Sequence, residues 1–152
     1  MHRTPVDSAY RKAGLDVDSH EGNLEDMINK LATLPLEFSP GDAWNYSMAT
    51  DVLGYLVQVV SGKPFEQFLK EEIFEPLGMN DTGFFVPPEK LDRFPHCYER
   101  RLNKKLVVQD ATDTSRYLEP PSYPSGGGGL VSTAHDYLRF CEMLRRGGEL
   151  DD

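Results

Sequence analysis

Cysteine is scarce in this sequence: Cys97 and Cys141 are the only two, far apart and in no CxxC or similar spacing. Neither a disulfide scaffold nor a zinc ribbon is supported, and a reducing compartment is the default expectation. Basic residues are a minority too, with 16 Lys and Arg against 25 Asp and Glu, for a formal net charge of -9. Nucleic-acid affinity rests on cationic contacts to phosphate, so this balance argues against a nucleic-acid partner, and an acidic surface also repels anionic membranes. The short clusters Arg100-Arg101 with Lys104-Lys105, and Arg145-Arg146, have acidic neighbours and read as solvated faces. No apolar run approaches the roughly 18 residues that a spanning helix needs. The first residues, Met1-His2-Arg3-Thr4-Pro5, are polar. No signal peptide or anchor is expected in this chain, and cytoplasmic localisation is the default. His2, His20, His96 and His135 are scattered without ligand spacing. They read as surface or capping residues, so no metal and no cofactor is expected.

What is present points to a packed protein. A hydrophobic share of 39% with eight Phe and seven Tyr supplies the apolar surface that disordered chains lack, and 152 residues fit one ordinary domain. The first twenty residues show no clear period and are expected to be loop with at most one short helix. From Asn23 the pattern changes. Leu24, Met27, Ile28 and Leu31 fall at i, i+3, i+4 and i+7, with Asn23 as cap and Glu25-Asp26 in the first turn, which predicts a helix closed before Pro35. Pro40-Gly41-Asp42 is a turn signal. A second helix begins near Met48, with Leu53, Leu56, Val57 and Val60 on one face and Val52 and Val59 widening the stripe; that width predicts burial on most sides. Gly62 ends it. Pro64 starts a third helix carrying Phe65, Phe68, Leu69 and Ile73 before Pro76. Prolines fragment residues 80–124, within which Cys97 to Leu102 and Leu106 to Gln109 read as a hairpin joined by Asn103 to Lys105. After Ser125 and the glycines Gly126 to Gly129 comes a fourth helix, with Thr133-Ala-His-Asp136 as a capping box and Gly147-Gly148 as its stop.

Four stretches carry a resemblance: Pro40-Gly-Asp-Ala-Trp-Asn-Tyr-Ser-Met48, Leu53-Gly-Tyr-Leu-Val-Gln-Val-Val-Ser-Gly-Lys-Pro-Phe65, Ile73-Phe-Glu-Pro-Leu-Gly-Met-Asn-Asp-Thr-Gly-Phe84, and Ser125-Gly-Gly-Gly-Gly-Leu-Val-Ser-Thr-Ala-His-Asp-Tyr-Leu-Arg-Phe140. In this order they resemble the middle of the serine beta-lactamase-related family, which includes class C beta-lactamases, family VIII carboxylesterases and D-alanyl-D-alanine carboxypeptidases. The resemblance covers most of the chain from about Leu24. It implies an α+β, helix-dominated fold: the helical lobe of a beta-lactamase/transpeptidase-like protein, lacking most of the central antiparallel sheet, with residues 1–152 as a single partial domain. An apolar face that packs on that sheet should then be exposed, or covered in a homo-oligomer or swapped assembly.

The resemblance also assigns chemistry. The family's Tyr-Ser/Ala-Asn motif maps on Tyr46-Ser47-Met48, which makes Tyr46 the catalytic base partner of a serine, provided a nearby ammonium stabilises its phenolate. Met48 departs from the expected Asn; a thioether cannot donate to a substrate carbonyl, which favours an esterase-like relative. The nucleophile belongs to a Ser-x-x-Lys motif, in which one helical turn sets hydroxyl beside amine, and no serine here has a lysine three residues on. Ser61 and Lys63 come closest, at the wrong spacing. His20-Glu21-Gly22 matches the letters of the third motif but precedes the tyrosine, against family order. In the family, the Ser-x-x-Lys helix lies before the region matching Met1 and the last motif after that matching Asp152. Trp44 and the run Ser125, Gly126 and Gly127 would border the cleft. The expected substrate is a small-molecule ester or lactam, hydrolysed by the intact protein but not by this chain alone. A non-catalytic binding module with the same lobe is the alternative.

Overall fold

The computed structural model describes residues 5–15 and 22–149. His2 and the His20-Glu21 part of the His-Glu-Gly match lie outside the described residues. Among the described residues five α-helices are formed: α1 (Pro5–Ala13), α2 (Leu24–Leu31), α3 (Ala49–Ser61), α4 (Phe65–Leu69) and α5 (Ala134–Arg145). One antiparallel hairpin, β1 (Cys97–Arg100) with β2 (Leu106–Asp110), is the sheet among the described residues. The chain packs as two compact units, residues 1–72 with 122–129, and residues 73–121 with 130–152. No helix is long and apolar enough to cross a membrane among the described residues.

In the first unit, α1 packs on α2, α2 on α3 and α3 on α4. The start of α2 is fixed by a reciprocal box: Asp26 N–H donates to the Asn23 side chain and Asn23 N–H donates to the Asp26 carboxylate, both at 3.0 Å. Its apolar stripe then buries Leu24 and Met27, each contributing about 1.5–3 kcal/mol. Gly62 closes α3 in the left-handed conformation (φ 69°), where a side chain would be strained. Beyond the closing turn, Lys63 Nζ meets Glu71 at 2.8 Å and Glu72 at 2.7 Å. The two carboxylates raise the lysine pKa, and Lys63 together with Gln67 lowers that of Glu71.

Two expectations are corrected here. Helix α3 is not buried on most sides: Val52, Leu53, Leu56, Val59 and Val60 are exposed, and its buried residues are Asp51 and Gly54. The small face is the one that packs, because Gly54 leaves room for the Phe65 ring and the Gly126 backbone within 3.4 Å of where a Cβ would stand. The third helix is not continuous: α4 ends at Leu69 and a wide π-helical turn, Lys70–Phe74, follows. Pro76 lacks the N–H an α-helix would use there, and Met79 N–H bonds five residues back to the Phe74 carbonyl at 2.7 Å. The one short helix allowed for in the first twenty residues is α1, with Asp7 in its first turn and Arg11 and Lys12 in its last, the arrangement that complements the helix dipole.

The second unit buries Phe74, Leu77, Met79, Phe84 and Val86. Gly83 and Val131 exchange two backbone hydrogen bonds, and Val86 N–H donates to the Tyr117 carbonyl. Thr133 caps α5 by accepting from Asp136 N–H at 3.1 Å. The predicted box is half present, since the Asp136 carboxylate turns away to accept from Asp81 N–H (2.8 Å) and the Thr82 hydroxyl (2.9 Å). Asp81 in turn takes a bidentate pair from Arg93 and an ion pair from Lys90, which hold its carboxyl well below the usual range. The hairpin has the predicted position, with β1 ending at Arg100 and β2 reaching Asp110. Its tip uses Lys104 at positive φ, with Asn103 accepting from Lys105 N–H. At its base, Thr112 donates to His96 Nδ1 and the Phe94 carbonyl.

Candidate functional site

The tyrosine segment lies in the first unit, where the chain enters α3. Residues 39–42 form the predicted turn, with Asp42 N–H donating to the Ser39 carbonyl. Residues 43–47 follow without regular structure, and Met48 is the N-cap of α3. Methionine offers no capping oxygen, and the Ser47 hydroxyl accepts from Ala49 N–H at 3.2 Å instead. The result leaves both aromatic rings outside the core: Trp44 is 85% exposed and Tyr46 86%. Rings this open contribute little to packing.

The glycine run approaches the same helix turn. Ser125 Oγ donates to Asp51 Oδ1 at 2.5 Å and accepts from Gly127 N–H at 3.0 Å. Gly126 lies on the α3 backbone, where an added Cβ would overlap the Thr50 carbonyl oxygen and stand 3.2 Å from Gly54 N. A Cβ on Gly127 would stand 2.9 Å from Thr50 Oγ1. Glycine at 126 is thus a close-approach requirement, not flexibility. The structure therefore brings Ser125, Gly126 and Gly127 onto the first turn of α3, the turn that Tyr46-Ser47-Met48 leads into.

Asp51 was not among the sequence candidates. Its place in the first turn marks it as a dipole-compensating carboxylate, but nothing local names a partner 74 residues away. Nearby, burial and then the charge of Glu25 raise the Tyr55 phenol. No group of three or more His, Cys, Asp or Glu among the described residues could hold a metal ion. His96 and His135 are both exposed.

Residues 3–152 match the family described as Beta-lactamase. This chain belongs to the beta-lactamase family. Relatives include Protein Rv1367c of Mycobacterium tuberculosis, 42% identical over 97% of this chain and 35% of its own length. Esterase EstB of Burkholderia gladioli is 34% identical over 91% of this chain and 39% of its own length. Among solved structures, EstCE1, a hydrolase with promiscuous acyltransferase activity, superposes with a TM-score of 0.78 at 28% identity, covering 96% of this chain and 42% of that one. The chain thus spans between a third and two fifths of the length of the curated relatives it matches. The resemblance carried by the four stretches is borne out, as is a beta-lactamase/transpeptidase-like fold rich in helix.

Proposed function

We propose that this chain supplies the base-bearing wall of a serine hydrolase acting on ester or amide carbonyls. In this reading Tyr46, as phenolate, takes the proton of a serine hydroxyl while the serine oxygen bonds to the carbonyl carbon. The tetrahedral species then collapses: Tyr46 returns the proton to the leaving oxygen or nitrogen as its bond to carbon breaks, and an acyl-enzyme remains. Water repeats the sequence, losing a proton to Tyr46 and releasing the acid. Trp44 and the run from Ser125 to Gly127 line the groove beside the reacting bond. The observation that carries this reading is an open Tyr46 at the entrance of α3, in a chain that matches the family from residue 3 to 152. The esterase among its relatives favours a small-molecule ester over a lactam.

The nucleophile is assigned to a Ser-x-x-Lys segment that these residues do not encode, so the isolated chain forms no acyl-enzyme. The chain would be one partial domain, the helical lobe without most of the central sheet. The exposed arc of α3, and exposed Tyr137, Leu138 and Leu144 on α5, support this reading, because apolar stripes of this size are normally covered. In the isolated chain the same arcs favour a homo-oligomer or swapped assembly.

A fluorophosphonate probe tests the assignment. The purified chain should stay unlabelled, and adding polypeptides that carry the family's Ser-x-x-Lys helix and sheet should restore labelling and ester hydrolysis. Stoichiometric labelling of the chain alone would overturn it. The absence of a Ser-x-x-Lys pair from these residues favours a second reading in which the lobe binds ligand without catalysis. Assembly with complementary segments that binds an ester yet never hydrolyses it would select that alternative.

A further inference from the structure

Two carboxylates among the described residues are more than nine-tenths buried, Asp51 at 7% exposure and Asp136 at 3%. Asp136 has evident structural work, holding Asp81 N–H and the Thr82 hydroxyl. Asp51 sits third in α3, where any carboxylate would complement the helix dipole from an exposed position. Burial exceeds that need. Its Oδ1 accepts the Ser125 hydroxyl at 2.5 Å, the short distance of a charge-assisted O–H···O bond, and the same Ser125 oxygen accepts Gly127 N–H. The bonds run in series from a helix to the backbone of a glycine loop that has no regular structure of its own.

We propose that Asp51 is a positioning residue: through Ser125 it fixes the Ser125 to Gly129 loop on the first turn of α3 and thereby sets the loop wall of the substrate groove relative to Tyr46. The inference rests on the hydrolase reading for its consequence and on the hydrogen-bond chain for its existence. Backbone contact supplies the second anchor, since Gly126 packs on Thr50 and Gly54 with no room for a side chain. Contact alone excludes a displaced loop on one side only. The Asp51 bond prevents the loop from lifting off.

The test uses Asp51→Ala, Asp51→Asn and Ser125→Ala in the 152-residue chain, with folding checked by circular dichroism. Asparagine keeps an oxygen that can accept from Ser125, so it is the conservative rescue. Amide hydrogen exchange at Gly127 should quicken about tenfold or more in Asp51→Ala and Ser125→Ala, and stay within about threefold of wild type in Asp51→Asn, given the worth of a charge-assisted hydrogen bond. In the chain assembled with complementary segments, Asp51→Ala should raise KM for a p-nitrophenyl ester about tenfold with kcat within about twofold, because a misplaced wall weakens ground-state and transition-state binding alike. Asp51→Asn should restore KM. A merely structural role would lower the melting temperature and the active fraction while leaving KM unchanged. Ser125→Ala removes the Gly127 acceptor outright and serves as the reference for a freed loop; unaltered Gly127 exchange, or unaltered KM, in Asp51→Ala would overturn the proposal. If the wild-type assembly hydrolyses nothing, the hydrolase reading fails, and the exchange measurement alone still decides whether Asp51 holds the loop.

Discussion

Replacing Gly126 by alanine places a methyl carbon against the Thr50 carbonyl oxygen, 2.9 Å from the Thr50 carbonyl carbon and 3.2 Å from Gly54 N. All three are backbone atoms of α3, so no side-chain rotation relieves the overlap, and either the loop or the helix turn must move. Overpacking of this kind costs about 1–3 kcal/mol. For a chain of 152 residues each kcal/mol lowers the midpoint by about 2–4 °C, so Gly126→Ala should melt about 2–12 °C below the parent. Gly128 supplies the internal control. An added Cβ there meets nothing within 4 Å, and its φ is not in the left-handed range. Alanine at 128 should be neutral or stabilise by up to about 1 kcal/mol by restricting the unfolded chain. Thermal unfolding of both variants by circular dichroism decides the matter. Equal midpoints for the two would refute the claim that the glycine run is held on α3 at residue 126.

Further outcomes follow from other contacts. Asp136→Ala leaves Asp81 N–H and the Thr82 hydroxyl without their acceptor and should cost about 2–3 kcal/mol in chemical denaturation, with Thr133→Ala costing nearer 1 kcal/mol for the lost cap. Arg93 and then Lys90 depress the Asp81 pKa below its unfolded value of 3.8, so the stability they confer is present above about pH 4 and is lost as pH falls further through the folded value. Acid titration of stability should therefore flatten in Asp81→Asn, and an unchanged slope below pH 4 would count against the pair. Met27→Ala removes a fully buried side chain from α2 and should cost about 2–5 kcal/mol, whereas Val60→Ala, at an exposed position, should stay within about 0.5 kcal/mol in the monomer. A Val60→Ala variant as damaging as Met27→Ala would mean that the α3 arc is covered in solution; light scattering then reads the assembly directly.

Local chemistry made part of this structure legible. The Asn23 box, Gly62, Thr133 and the Asn103 hairpin turn each act within a few residues, where side-chain spacing alone decides geometry. The family order of four short stretches carried the fold. The inward face of α2 was legible, since its stripe buries Leu24 and Met27, but the inward face of α3 was not. Helix α3 has a broad apolar arc, yet it packs through Asp51 and Gly54, because the neighbours it meets, Phe65 and Gly126, require a small face. Asp51 escaped notice for the same reason, its partner lying 74 residues downstream. Likewise, the apolar spacing of Phe65, Phe68 and Ile73 gives no sign that the helical turn widens at Lys70.

The claim on which the functional account depends is that Tyr46, as phenolate, accepts a proton from a hydroxyl belonging to another segment. Ester hydrolysis by the chain assembled with complementary family segments, compared between wild type and Tyr46→Phe, tests this most directly. Phenylalanine keeps the ring and removes the base, so the rate should fall by about 100-fold or more with ester binding retained. A Tyr46→Phe assembly that hydrolyses the ester as fast as wild type would contradict the account.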